Sequence, residues 1–198
     1  MAYQPTSLGV AVLALLRERP MHGYEMFQTL VQRQADRIVK IRPGSLYHVV
    51  DRLTEEKLIR CATAGREGNR PERVIYEITD AGVELLGERV RNMVATPVEE
   101  FPQFVAALAE IDTLDRDAAA TAVDDRIGAM EARAAEIMAI RDGGVTPASA
   151  YQLAFDYLLA TVEAEVAWLR GLAGSLRSGR PQPVRPDTNM ESRDEVGI

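Results

Sequence analysis

Three stretches with apolar residues three and four positions apart, a switch to two-residue alternation around a glycine- and arginine-bearing turn, and a return to helical spacing predict a mainly α-helical chain with a small β-hairpin wing. Three short helices followed by a basic hairpin give the outline of a winged helix-turn-helix, here continued by a helical C-terminal domain. The expected organisation is a winged helix-turn-helix DNA-binding domain over residues 1–95, a helical dimerisation domain over 96–178 and a disordered, proline-bearing tail over 179–198.

Thr6-Ser7 offers an N-cap to a first helix carrying Leu8, Val12, Leu15 and Leu16. Arg19-Pro20 ends it, because the residue before proline is pushed out of the α region. A second helix starts near His22-Gly23-Tyr24 and buries Met26, Phe27, Leu30 and Val31; residues 35–42 connect it to the next. Pro43-Gly44-Ser45 opens the third helix, with Leu46, Val49, Val50 and Leu53 inward and Ser45, His48, Asp51, Arg52 and Glu55 outward. Residues 58–63 and 73–78 then alternate as two strands flanking the turn Ala64–Glu72, and Cys61 in the first strand reads as a small buried hydrophobe.

A helix follows from Asp80 to about Ala95. Thr96-Pro97-Val98-Glu99 has the form of a capping box, and a short turn leads from it to a helix bearing Phe104, Val105, Leu108 and Ile111. In residues 116–141, Val123, Ile127, Met130, Ala134 and Ile137 step by four and three. In the last helix Tyr151, Phe155, Leu158, Val162, Glu165, Leu169, Leu172 and Leu176 do the same, with Glu165 the one polar member. That alternation averages 3.5 residues, the spacing of helices that wrap on one another. It marks Tyr151, Phe155, Leu158, Val162, Leu169 and Leu172 as dimer-interface candidates.

The 198 residues carry a net charge of −7, which taken alone argues against a nucleic-acid partner. Residues 1–80 hold twelve basic against ten acidic side chains, and residues 81–198 eleven against twenty. The first part could lie along a phosphate backbone and the second could not. One cysteine excludes a disulfide framework and a multi-cysteine zinc site, and two histidines leave little for a metal. No apolar run is long enough for a membrane span and the N-terminus lacks a signal-peptide pattern, so a cytoplasmic protein is expected.

Candidate DNA contacts are Tyr24, Arg42, Ser45, Tyr47, His48 and Arg52, with Arg66, Arg70 and Arg73 in the wing. A helix about 10–12 Å across fits the roughly 12 Å major groove, leaving the hairpin tip for an adjacent phosphate run. Each residue has a plainer reading beside it. Tyr24 meets a phosphate at a helix N-terminus or is a core tyrosine. Tyr47 faces DNA or packs under the wing. Arg52 reaches the groove with His48 or pairs with Asp51 or Glu55. Trp168 stacks on a flat effector or packs in the core or dimer interface. His22 with Glu25 suggests a general base, but no nucleophile or metal partner accompanies them.

The runs His22-Gly23-Tyr24-Glu25, Gly44-Ser45-Leu46-Tyr47 leading to Leu53 and Leu58-Ile59, and Tyr76-Glu77-Ile78-Thr79-Asp80-Ala81-Gly82 resemble PadR-family transcriptional regulators. The resemblance covers residues 6–95, and the acidic helical remainder looks like the dimerising domain of that family's longer branch. Two positions depart from the pattern. Lys57 stands where the family usually has glycine, at a cost of roughly 1–2 kcal/mol if the backbone there is left-handed. His48 stands where a basic residue is common. The resemblance implies a homodimeric regulator, a repressor by preference, that binds a palindromic double-stranded operator, needs no cofactor or metal and answers to a small-molecule effector. The rivals are a winged-helix protein-interaction module that does not bind DNA, and a helical enzyme or metal-binding protein, for which the sequence offers no ligand cluster or nucleophile–base pair.

Overall fold

The computed structural model describes residues 3–62, 74–143 and 149–179. Helix α1 (Ser7–Glu18) is capped by Thr6, whose hydroxyl accepts the Gly9 N–H at 3.2 Å, and it buries Leu8, Val12, Leu13, Leu15 and Leu16. Arg19 is fully extended at φ −168°, as Pro20 requires. Strand β1 (Met21–His22) leads directly into α2 (Gly23–Gln32), which buries Met26 and Leu30 while Phe27 is only half-covered and Val31 stays exposed. A 3-10 turn at Ala35–Arg37 tucks Ala35 into the core before α3 (Pro43–Glu55).

Proline at the start of α3 costs nothing, since the amide it lacks would have no intrahelical acceptor. Leu46, Val50 and Leu53 of α3 are fully buried against the α1 and α2 residues. The helix ends in a Schellman motif: the Leu58 N–H reaches the Leu53 carbonyl at 2.9 Å and the Lys57 N–H reaches that of Thr54 at 3.0 Å. Lys57 has φ 59°, so the position where the family resemblance leads one to expect glycine is left-handed and is here held by a lysine.

The expected hairpin is part of a three-stranded antiparallel sheet in the order β1-β3-β2, with β2 at Ile59–Ala62 and β3 at Ile75–Ile78. Tyr76 pairs with Met21 on one side and Cys61 on the other. Cys61 is exposed, contrary to expectation. Its partner in the alternation, Ile59, sits over the core, whereas Cys61 lies two residues further out along the wing.

Helix α4 (Asp80–Ala95) is capped by Thr79, which accepts the Gly82 N–H at 3.1 Å and donates to the Lys57 and Leu58 carbonyls at 2.9 and 3.0 Å. Residues 96–102 are irregular, the short turn expected between the capping-box residues and the helix bearing Phe104. Proline at 102 disfavours the α conformation at Phe101, so a helix begun at Pro97 would be too short for a stable turn.

Packing divides the chain into two units, Met1–Glu100 with Gly144–Gln152, and Phe101–Gly143 with Leu153–Ile198. In the second lie α5 (Gln103–Ala109), a 3-10 turn at Ile111–Thr113, α6 (Arg116–Asp142) and most of α7 (Ser149–Ser178). Asp115 caps α6 by accepting the Ala118 N–H at 2.8 Å. Val123, Leu169 and Ala173 are buried together, ringed by Phe104, Ile127, Met130, Leu172 and Leu176. Across the two helices Arg126 pairs with Glu165 at 2.5 Å, Arg170 with Glu131 at 2.7 Å, and Arg177 with Asp124.

Candidate nucleic-acid interface

The outward face of α3 is open. Arg42 at its N-cap, Ser45, Tyr47 and His48 are all exposed, and Arg42 has no ion-pair partner among the described residues. The Tyr47 ring lies flush on the first turn of α2, because a Cβ on Gly23 would stand 2.8 Å from its Cε1. Only glycine permits that approach, so the Gly23-Tyr24 pair of the sequence motif is a packing device as much as a turn. Tyr47 nevertheless remains 48% exposed: one side of its ring lies on the start of α2 and the rest faces solvent.

Tyr24 is 64% exposed, which removes the core reading; its phenol oxygen accepts the Gln28 amide at 2.9 Å. His22 and Val74 share a hydrogen bond between Nδ1 and the carbonyl oxygen at 3.0 Å, tying the start of α2 to the root of the wing. Glu25 is held by Arg19 at 2.5 Å. That guanidinium, helped by the His22 backbone N–H, keeps the Glu25 carboxyl below the usual carboxylate range. The His22 ring is thus committed to Val74 and the Glu25 carboxylate to Arg19, and the two residues meet through the His22 backbone N–H. Arg19 is not among the residues singled out from the sequence; the one legible trace was Glu25 three residues after the N-cap, the reciprocal half of a capping box.

Together His22, Gly23, Tyr24, Glu25, Gln28, Tyr47, Val74 and Tyr76 line an open groove of about 800 Å³. Burial raises the Tyr76 phenol above its ordinary value, with Cys61, Asp51 and Tyr47 adding to the effect.

Arg52 is placed differently from His48. Its guanidinium bonds Glu55 at 3.1 Å and Glu56 at 2.7 Å and stands 5.4 Å from the centre of the Tyr3 ring. Two carboxylates compensate its charge, so the pairing with Glu55 holds, with Glu56 in place of Asp51. On the wing, Arg60 and Glu77 face each other across β2 and β3 and pair at 2.5 Å. Arg66, Arg70 and Arg73 lie outside the described residues.

The sequence profile of the Transcriptional regulator PadR-like family matches residues 12–88, which span all of these elements from α1 into α4. Residues 12–88 are a PadR-like domain. Three solved structures share the fold over most of the chain. Bacillus subtilis PadR in complex with operator DNA is 20% identical with a TM-score of 0.71, covering 87% of this chain and 99% of its own. The same protein in complex with p-coumaric acid is 19% identical with a TM-score of 0.71, covering 86% and 98%. The Vibrio cholerae virulence activator AphA is 18% identical with a TM-score of 0.66, covering 87% and 99%. No curated protein matches the sequence.

Beyond the PadR-like domain the interface candidates of α7 separate. Phe155, Val162 and Leu169 are completely or almost completely buried within the single chain, so in this conformation they offer no surface to a second copy. The buried seam is Phe155, Leu159, Val162, Val166, Leu169 and Ala173, again in steps of four and three. A 3.5-residue repeat reports a helical neighbour without saying whose it is. Leu158 and Leu172 are half-buried on the flank of that seam. Tyr151 belongs to the first unit, packed on the core of the PadR-like domain, with a hydrogen bond to Arg33. Trp168 packs against the Val123–Leu169–Ala173 cluster. Among the described residues no helix is long and apolar enough to cross a membrane.

Proposed function

We propose that this chain is a DNA-binding transcriptional regulator rather than an enzyme, acting in the cytoplasm as a homodimer on a palindromic operator. The observation that carries the reading is the uncovered α3 face, with Arg42, Ser45, Tyr47 and His48 exposed on a PadR-like domain. In this reading α3 enters a major groove, with Ser45 and His48 at base edges. Arg42 and Tyr24 meet phosphates at the ends of α3 and α2, and Arg66, Arg70 and Arg73 extend the contact along the backbone. Arg52 joins only by exchanging Glu55 and Glu56 for a phosphate, so its contribution is smaller than that of Arg42.

A second copy doubles a modest set of phosphate contacts and fixes two half-sites about 34 Å apart. Leu158 and Leu172 are the α7 candidates left half-buried in the single chain, alongside the exposed Leu153 and Tyr157. Repression, relieved by a small-molecule effector, is the mode the family resemblance supports; Trp168 serves as an effector contact only if the cluster around it opens.

The test is a titration of the full chain against duplexes from the region flanking its coding sequence and against random duplex. A dimer neutralising about 6–10 phosphates loses roughly 10³–10⁵ in affinity between 50 and 200 mM salt. Equal affinity for all duplexes, or no salt dependence, favours a protein-interaction module instead.

A further inference from the structure

The groove between the start of α2, α3 and the wing root has a chemistry of its own. Three of its described lining residues are tyrosines, one is the Glu25 carboxylate, and none is a lysine or arginine. Its volume, about 800 Å³, falls in the range of small-molecule sites. Its walls are held in place: Tyr47 by contact with the Gly23 backbone, Tyr24 by Gln28, and the wing root by the His22–Val74 bond. The faces of aromatic rings carry partial negative charge and attract cations, most strongly where water is partly excluded. Glu25 adds a carboxylate that is paired with Arg19 at 2.5 Å, and the Asp51 carboxylate lies near enough to Tyr76 to influence its phenol.

We propose that this groove binds a small organic cation, a quaternary or aromatic ammonium ion, seated against Tyr24, Tyr47 and Tyr76 with Glu25, exchanged from Arg19, as its counter-charge, and that its occupation excludes DNA. The second half rests on the reading that Tyr24 and Tyr47 face the duplex, because one pair of rings cannot hold a ligand and lie against a backbone together. A ligand here would act on DNA binding by direct competition, without a conformational change between domains.

Benzyltrimethylammonium chloride is the probe, titrated calorimetrically into the full chain, with sodium benzoate as the matched anion. The cation should bind saturably and benzoate should not. Tyr24→Ala, at an exposed position that leaves folding intact, should weaken the cation about tenfold. Glu25→Gln keeps a side chain able to cap the helix while removing the charge, and should weaken it severalfold. At constant ionic strength the saturating cation should release a bound duplex. No saturable binding, equal binding of benzoate, or parental affinity in Tyr24→Ala overturns the site. If the duplex stays bound at cation saturation, the competition is overturned. A chain that binds its duplex but not the cation leaves the DNA reading standing, and one that binds the cation but no duplex upholds the site and sinks that reading.

Discussion

Gly82 lies so close to the backbone of Leu58 that a Cβ built on it would stand 2.1 Å from the Leu58 carbonyl oxygen. That contact seats the first turn of α4 on the chain leaving α3, where Thr79 also binds the Lys57 and Leu58 carbonyls. Gly82→Ala therefore forces backbone apart and should cost about 2–3 kcal/mol of stability. Gly87, in the same helix, has open space where its Cβ would be. Gly87→Ala should stabilise by about 0.5–1 kcal/mol through helix propensity alone. Urea midpoints of the two variants should move in opposite directions.

Lys57 holds a left-handed conformation at φ 59°. Lys57→Gly relieves that strain and should stabilise the chain by about 1 kcal/mol, less than the full left-handed penalty because glycine also frees the unfolded chain. A lowered urea midpoint for Lys57→Gly would mean that the lysine side chain contributes more than its backbone costs.

Glu165, the polar member of the α7 stripe, accepts both Nε and Nη2 of Arg126 on one oxygen at 2.8 and 2.5 Å. The same guanidinium lies 3.6 Å from the centre of the Phe104 ring. Arg126→Ala loses both contacts and should cost about 2 kcal/mol, against about 1 kcal/mol for Glu165→Ala. A double-mutant cycle should return a coupling of about 1 kcal/mol between them.

Much of this architecture was legible because it rests on periodicity and capping chemistry. Phe155, Val162 and Leu169 in the apolar stripe of α7, the Thr6 cap and the Pro43 start all have local signatures. What escaped was non-local or too short. Strand β1 has two residues, and two residues carry no alternation. Cys61 has the alternation of a buried residue at a point where the sheet has run past the core. Phe155, Val162 and Leu169 keep a heptad spacing, which marks a helical neighbour without saying whose, and all three are buried within the single chain. On the candidate interface the exposed α3 face followed from the stripe opposite it, whereas the Arg52 pair with Glu56 and the Arg19–Glu25 pair depend on rotamers and on chain reversals that spacing does not encode.

The Glu18–Arg33–Tyr151 cluster contributes to the pH dependence of the first unit at both ends of the scale. Arg33 meets Glu18 through two hydrogen bonds, at 2.5 and 2.7 Å, which hold the Glu18 carboxyl below its ordinary range. Stability from this pair is present above about pH 4.3, the value of an unfolded glutamate, and is lost as pH falls through the lowered folded value. The difference in urea midpoint between the parent and Arg33→Met should therefore shrink on acidification. Burial raises the Tyr151 phenol, so its contribution is full below about pH 10 and is lost as pH rises through the raised value. Tyr151→Phe should lack that alkaline loss.

The placement of α3 in a major groove is tested most directly by measuring discrimination, the ratio of affinities for the footprinted operator and for random duplex, in the double variant Ser45→Ala, His48→Ala. Both side chains are exposed and neither carries a packing role. Loss of base-edge contacts should cut the ratio at least tenfold while the affinity for random duplex and its salt slope stay at parental values. An unchanged ratio would contradict the insertion of this face into the groove.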